Sequence, residues 1–439
     1  MVTVSEAKAF AENGCEKMLY DIRMGPQALF HDGVIYCVYQ SGAEGPEGHP
    51  HLRAYDVDKR SWSEEIRLGT VSKYDHHFCP VVWVDNRDHI HVLYHCHGGA
   101  GTHLVSARPR AINAWSDGHD IAPSISYPRV VVLPGGRWLM YSRNFGHMGY
   151  WVFRTSDDGV RWSDSIPVVD FDRDPHSNMD TWAGTYHSFC VDAIGTGLHI
   201  SFNTFNEREG VRKIPNPLYG RHVSHCQRYN LYYAHVDIAT GKLTTIEGTS
   251  IDAPMNKLAG EACKVWDSGD RLANQPAIVD DGNGQPLMLL PMTGDTSPWR
   301  GHYFYVRWKE DEWRYTSMAE INNIWDGCWL LKEPAGELAA LVATGEVDGS
   351  RLVYGGGSRI EKWVTRNGGE SWEVGADLTA VDGMLFNNPR PVVMSSGGEL
   401  DGFFTVFGWE GPDSIGRDST APGGGNRGKA YLYGDGEWR

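Results

Sequence analysis

The chain has 439 residues, a formal net charge of −16 and 22% charged residues. That balance excludes a general nucleic-acid binder, which needs a basic face, and no apolar run reaches the roughly 18 residues of a membrane span. With 52 glycines, 17 tryptophans, 20 tyrosines and 14 phenylalanines, the composition favours a sheet protein. Aromatics suit pleated, half-buried surfaces, and glycines suit tight turns.

Taken in chain order, one pattern returns seven times: a short β-branched run, a polar turn, then an alternating strand. It occupies residues 25–42, 79–95, 127–144, 186–205, 275–294, 329–357 and 390–408. Hairpins with Asp/Gly turns and a returning aromatic strand follow, as at 51–64, 150–164, 229–246, 303–315 and 360–374. Four strands per unit and seven units predict an all-β, seven-bladed β-propeller. One domain spans 1–439, with blades near 25–70, 75–123, 124–172, 182–248, 271–319, 325–378 and 386–439. The run at 336–345 reads as strand or loop. The turn at 155–162 fits an S-x-D-x-G-x-x-W box with Thr155 in the Ser place, and Thr365, Asn367, Gly369 and Trp372 form a degenerate copy. These boxes are scaffold: short polar side chains cap turn N–H groups, and Trp packs beneath.

Residues 72–99 hold six of the chain's 19 histidines. In a propeller, the start of a blade's first strand lies beside the end of its second. His77 and His97 are therefore expected at one mouth of the channel, with Asp75, His76 and His95. Other blades should add Tyr127, Arg129, Arg143, Asn144, Tyr186 and His187 to that rim. Arg forks onto carboxylates, and Tyr and His move protons near neutral pH. The expected partner is an acidic oligo- or polysaccharide, with no nucleic acid and no membrane. His89 and His91 read as structural.

An insertion, NEREGVRKIPNP, precedes a second cluster at 219–233. There Arg221 adds positive charge, and His222, His225 and Cys226 are spaced to join a Zn²⁺ site. The eight cysteines show no CxxC pair and read as reduced and structural. The start MVTVSEAKAFAENG lacks a basic region followed by an apolar run. The expected location is cytoplasmic for the chain as it stands, and secreted or periplasmic if a leader was removed.

The Asp75-His76-His77 opening, the P-x-x-x-V-D and H-V-L-Y segments that follow it, and N-L-Y-Y-A-H-V-D at 230–237 resemble the BNR-repeat propellers that include ulvan lyases and rhamnosyl-glucuronate lyases. The resemblance implies cleavage of bonds to C4 of a uronic acid by β-elimination. It implies no cofactor for the chemistry, and a structural zinc or calcium in some members. His77 matches the family's first histidine, with His76 as the register alternative, and His97 matches the second. Arg143 or Arg221 would neutralise the uronate carboxylate, Tyr229 or Tyr186 would be the acid, and His97 and Asn144 would hold the carboxylate or orient His77. His76, His187, Arg221 and Arg129 complete the expected binding set. Two rival readings stay open: a glycoside hydrolase acting on rhamnose–glucuronate linkages, and a non-catalytic carbohydrate-binding propeller.

Overall fold

The middle strands of the repeats are apolar almost throughout, because each sheet is covered on both faces by its neighbours. Ile90–Tyr94 and Pro286–Thr293 are buried at every residue, whereas the outermost strand Glu373–Asp377 is almost wholly exposed. In the computed structural model, the described residues are 7–15, 18–41, 48–72, 75–146, 149–173, 184–206, 212–223, 227–333, 337–348, 354–410 and 428–439. They form an all-β molecule whose strands belong to six sheets. Helix is confined to short turns, among them Lys257–Gly260. Leu338–Thr344, in the run left as strand or loop, is a strand.

Five sheets have four to six strands. The sixth has ten, because the first and last repeats share it: Met384–Met394 lies parallel to Ala28–His31, with Leu29 opposite Val393. The N-terminal strand Ala11–Gly14 pairs antiparallel with Gly428–Gly434 near the other end of the chain. Tryptophan N–H groups tie neighbouring sheets together. Trp83 donates to the Gly159 carbonyl (2.8 Å), Trp138 to that of Val84 (3.0 Å) and Trp151 to that of Thr185 (3.0 Å). Each such ring buries a large apolar area and satisfies its one donor.

A channel cavity of about 430 Å³ lies where the first strands of the repeats meet, lined by residues of the strands Ala28–His31, Val81–Val84, Ile125–Val132, Gly184–Val191, Ala277–Asp280, Cys328–Lys332 and Met384–Met394. The turn box is shifted by one residue from expectation. Ser156 Oγ accepts from the N–H groups of Asp158 and Gly159, and Asp158 accepts from those of Val160 and Arg161. The second copy is as read, with Thr365 Oγ1 accepting from Asn367 and Gly369. The seven described cysteines are free thiols. No helix among the described residues is long and apolar enough to cross a membrane.

Candidate active site

The histidine pair stands on two irregular pieces of backbone. Asp75 caps a single 3-10 turn, His76–Phe78, accepting from the His77 N–H at 3.0 Å. The turn, rather than a strand, carries His76 and His77. The short strand His97–Gly99 leaves its own hairpin and pairs with Ile125–Val132 of the next sheet, placing His97 opposite Ser126. Two serines staple it there: Gly98 N–H donates to Ser126 Oγ (2.9 Å), and Ser124 Oγ donates to the Gly98 carbonyl (3.0 Å).

These placements stack the His77 and His97 rings at 3.9 Å between centroids. Asp75 lies between them, accepting from His77 Nδ1 through one oxygen and standing 3.4 Å from His97 Nδ1 through the other. Burial alone would raise the Asp75 carboxyl, but the hydrogen bonds from His77 and His97 outweigh it and hold it far below the usual range. Burial, and then the neighbouring His76, push His77 well below the ordinary histidine value. His76 is pushed down to about 4 by burial and by Arg23. His77 is therefore a neutral imidazole whose Nδ1 is fixed by a carboxylate, which leaves Nε2 as the nitrogen for proton transfer.

Beside the pair lies Tyr127, its ring 5.3 Å from His77 and 6.4 Å from His97. A bulge between Ser126 and Arg129 and a positive φ of 55° at Tyr127 turn its side chain into the cluster. Its hydroxyl is 3.4 Å from that of Tyr186. Burial pushes the Tyr127 phenol up, partly offset by Arg23 and Arg143.

Three guanidinium groups surround the two tyrosines. Arg23 lies 4.7 Å from the Tyr127 ring centre and 5.1 Å from that of Tyr186, and Arg143 lies at 4.7 and 5.2 Å. Arg228 lies 3.8 Å from the Tyr186 ring and 4.2 Å from that of Trp325. Arg23 is cancelled by a buried ion pair with Asp21. Among the described residues, Arg143 is fully buried with no hydrogen-bond partner at any guanidinium nitrogen, and Arg228, whose Nη1 donates to Asn274, has none at Nε and Nη2. Leaving a guanidinium buried and unpaired costs roughly several kcal/mol, more than the ~0.5–2 kcal/mol of a cation–π contact. Arg143 and Arg228 thus leave positive charge beside the two tyrosines without a carboxylate partner among the described residues.

A model of the BNR repeat-containing family matches residues 47–321. The chain belongs to the BNR repeat-containing family. Among relatives in sequence, the PL25 ulvan lyase of Pseudoalteromonas sp. (strain PLSV) is 24% identical over 69% of this chain and 65% of its own length. The chain thus spans just under two thirds of that relative. An ulvan lyase of Nonlabens ulvanivorans is 22% identical over 88% of this chain and 85% of its own length. A PL25 ulvan lyase structure with -[GlcA(1-4)Rha3S]- bound superposes with a TM-score of 0.76 at 18% identity, covering 98% of this chain and 96% of that one. Polysaccharide lyase Uly1 superposes at 0.62 and 12% identity, covering 98% and 94%. At these identities the two structures establish a shared fold.

In this BNR chain the remaining expected residues are dispersed. His187 is a core residue: Tyr141 hydroxyl and Thr185 Oγ1 take its two ring nitrogens at 2.8 and 2.9 Å, and it stacks on Trp151 and Phe202. Asn144 accepts from Arg154 at 3.3 Å. Arg129 lines the channel cavity beside Phe189 and Trp329. Arg221 is exposed over Trp299, at 5.6 Å. Tyr229 hydroxyl accepts from Asn216 of the insertion at 3.4 Å. His91 is buried against His103 and Asp85, as a structural histidine.

Of the zinc trio, His225 and Cys226 lie outside the described residues, and His222 Nδ1 sits 3.3 Å from the Ile214 carbonyl. Among the described residues, metal-type donors converge at Asp75, His77 and His97, within 4.8 Å of one another. The residue types suit a metal, but this carboxylate already serves both imidazoles. Sequence reasoning placed Tyr127 on the rim without a role in the chemistry and missed the Arg228–Tyr186 stack. A YxR spacing at 127–129 was visible; the bulge that aims Tyr127 was not.

Proposed function

We propose that this chain is a polysaccharide lyase that cleaves the bond to C4 of a uronic acid by β-elimination. The observation that carries the reading is a neutral, carboxylate-anchored His77 beside two tyrosines that are backed by the buried guanidinium groups of Arg143 and Arg228. Its ulvan lyase relatives, and the glucuronate–rhamnose 3-sulfate ligand of the PL25 structure, support a sulfated rhamnose–glucuronate glycan as substrate. The ten-stranded sheet, which holds the first and last repeats, is read as two blades, giving seven around the channel.

In the proposed reaction, the uronate docks against His77 and His97, with Tyr127 and Tyr186 behind them and its carboxylate directed toward Arg143. Neutralising that carboxylate acidifies the C5 proton. His77 Nε2 takes the proton, the C5–H electrons form the C4=C5 double bond, and the C4–O bond breaks. A proton from Tyr127 or Tyr186 goes to the leaving oxygen, and the resulting phenolate is stabilised by Arg143 and Arg228 until the proton on His77 is passed back. His97, through Asp75, fixes the orientation of His77. No carboxylic-acid pair is needed. Asp75 is committed to the histidines and Asp21 to Arg23, which weakens the hydrolase reading.

The test is incubation with a sulfated rhamnose–glucuronate polysaccharide while ultraviolet absorbance of the unsaturated uronate is followed. A rise is expected from the wild type and none from His77→Ala at unchanged circular dichroism. New reducing ends without the rise would make the protein a hydrolase, and binding without either would make it a binding module.

A further inference from the structure

We propose that a groove on the same face of the molecule as the histidine cluster is a second sugar subsite for the same polysaccharide, in which Trp299 stacks a pyranose ring and Arg221 and Arg300 hold its anionic substituent. This rests on the lyase reading above. The groove, about 410 Å³, is lined by Ser297, Trp299, Arg300, Glu346, Val347 and Asp348. Arg221 and Arg300 are exposed, and the Arg221 guanidinium lies 5.6 Å from the Trp299 ring. Trp299 is half-buried, with its Nε1 turned inward and without a hydrogen-bond partner among the described residues, so what the ring offers a sugar is its apolar face. An apolar plate edged by cations and by acceptors such as Glu346 matches a sugar with one apolar face, ring hydroxyls and a carboxylate or sulfate.

Both walls are preorganised, which lowers the entropic cost of binding. Ser297 Oγ accepts from the N–H groups of Trp299 and Arg300, each at 3.2 Å, and Tyr219, just after the insertion, ties to Thr293 and Gly294 at 2.6 and 2.7 Å. On the facing wall, Val347 N–H donates to Asn322 at 3.2 Å. The groove opens on the same end of the sheets as the cluster: the connections that carry Trp299 and Glu346–Asp348, like His97, follow the second strand of their repeats. The connection that carries Glu346–Asp348 also carries Tyr354, whose ring is 5.3 Å from His76. A chain crossing the mouth can occupy both, and binding energy gained in the groove is then available to position the scissile unit.

The experiment compares kcat/KM on the polysaccharide with that on the shortest oligosaccharide the wild type cleaves. Trp299→Ala is expected to lose about tenfold on the polymer through KM, the worth of one stacked ring, and less than about twofold on the oligosaccharide. Trp299→Phe, which keeps a plate, should recover most of the loss. Arg221→Ala changes an exposed residue that folding does not need, and it should show the same length-dependent loss. On desulfated polymer, disappearance of the Arg221→Ala effect identifies a sulfate as its ligand, and persistence identifies a carboxylate. Equal polymer-to-oligosaccharide ratios in wild type and both variants overturn the proposal. Polymer binding is also measured by calorimetry in the His77→Ala background, with and without Trp299→Ala. Weaker binding there upholds the subsite even if no elimination product forms, and unchanged binding overturns it.

Discussion

At the scale of single residues, the chemistry depends on keeping His77 neutral and Tyr127 protonated, and burial does both. A base acts only when unprotonated, so activity falls as pH drops through the pKa of His77. Because that pKa lies well below the ordinary value of 6.5, the acidic limb of kcat/KM is expected below pH 6.5, and a limb at or above it would count against His77. Tyr127→Phe keeps the ring packing and removes the proton. Its kcat should drop about 10²–10⁴-fold with an unchanged thermal midpoint, if Tyr127 rather than Tyr186 is the donor. Arg228 stacks on Tyr186 at 3.8 Å, so Arg228→Met should lower kcat and Arg228→Lys, which keeps the cation, should restore most of it. An unchanged kcat in Arg228→Met would leave Arg228 as packing alone. The histidines were legible because a hairpin of fixed length returns position 97 to position 77. The role of Tyr127 was not, since residue type says nothing about a backbone at positive φ.

At the scale of elements, the site depends on one strand changing partners. His97–Gly99 joins the neighbouring sheet, and Gly98 sits at φ 85° with the Gly146 N–H only 3.2 Å from where a β-carbon would stand. A side chain there is strained by the backbone and crowded by the loop. Gly98→Ala is expected to cost about 1–2 kcal/mol in urea denaturation and to lower kcat by displacing His97; unchanged values of both would show that the strand is not held as described. The sequence reading kept this strand in its own blade, because alternation of apolar residues reports which face is buried but not which sheet edge a three-residue strand will pair with. The turn box slipped for a related reason. Thr155 and Ser156 are adjacent hydroxyls, and only the path of the turn selects Ser156 as the cap.

At the scale of the molecule, ring closure brings residues from distant repeats to one mouth. Phe10 is buried, stacks on Trp62 at 5.1 Å and donates its N–H to the Ala430 carbonyl at 2.8 Å, so it joins the two ends of the chain. Phe10→Ala should destabilise by about 3–5 kcal/mol, read as an earlier unfolding midpoint in urea, with a loss under about 1 kcal/mol refuting its part in closure. Acid should act on the whole fold in a defined direction. His76 and His103 titrate near 4 when folded because burial opposes their charge, and His77 is also depressed. Between pH 6.5 and about 4 the unfolded chain therefore binds protons that the folded chain does not, and stability falls as pH falls.

The sequence by itself determined the all-β class, the repeating hairpins and the histidine pair, because alternation, turn residues and short spacing are local properties. Tertiary structure alone decided the sharing of one sheet by the first and last repeats, the capture of His97 by the neighbouring sheet and the gathering of Arg23, Arg143 and Arg228 around two tyrosines. Those contacts join residues far apart in the chain, and what selects them is the packing and closure of whole sheets, which no local pattern records.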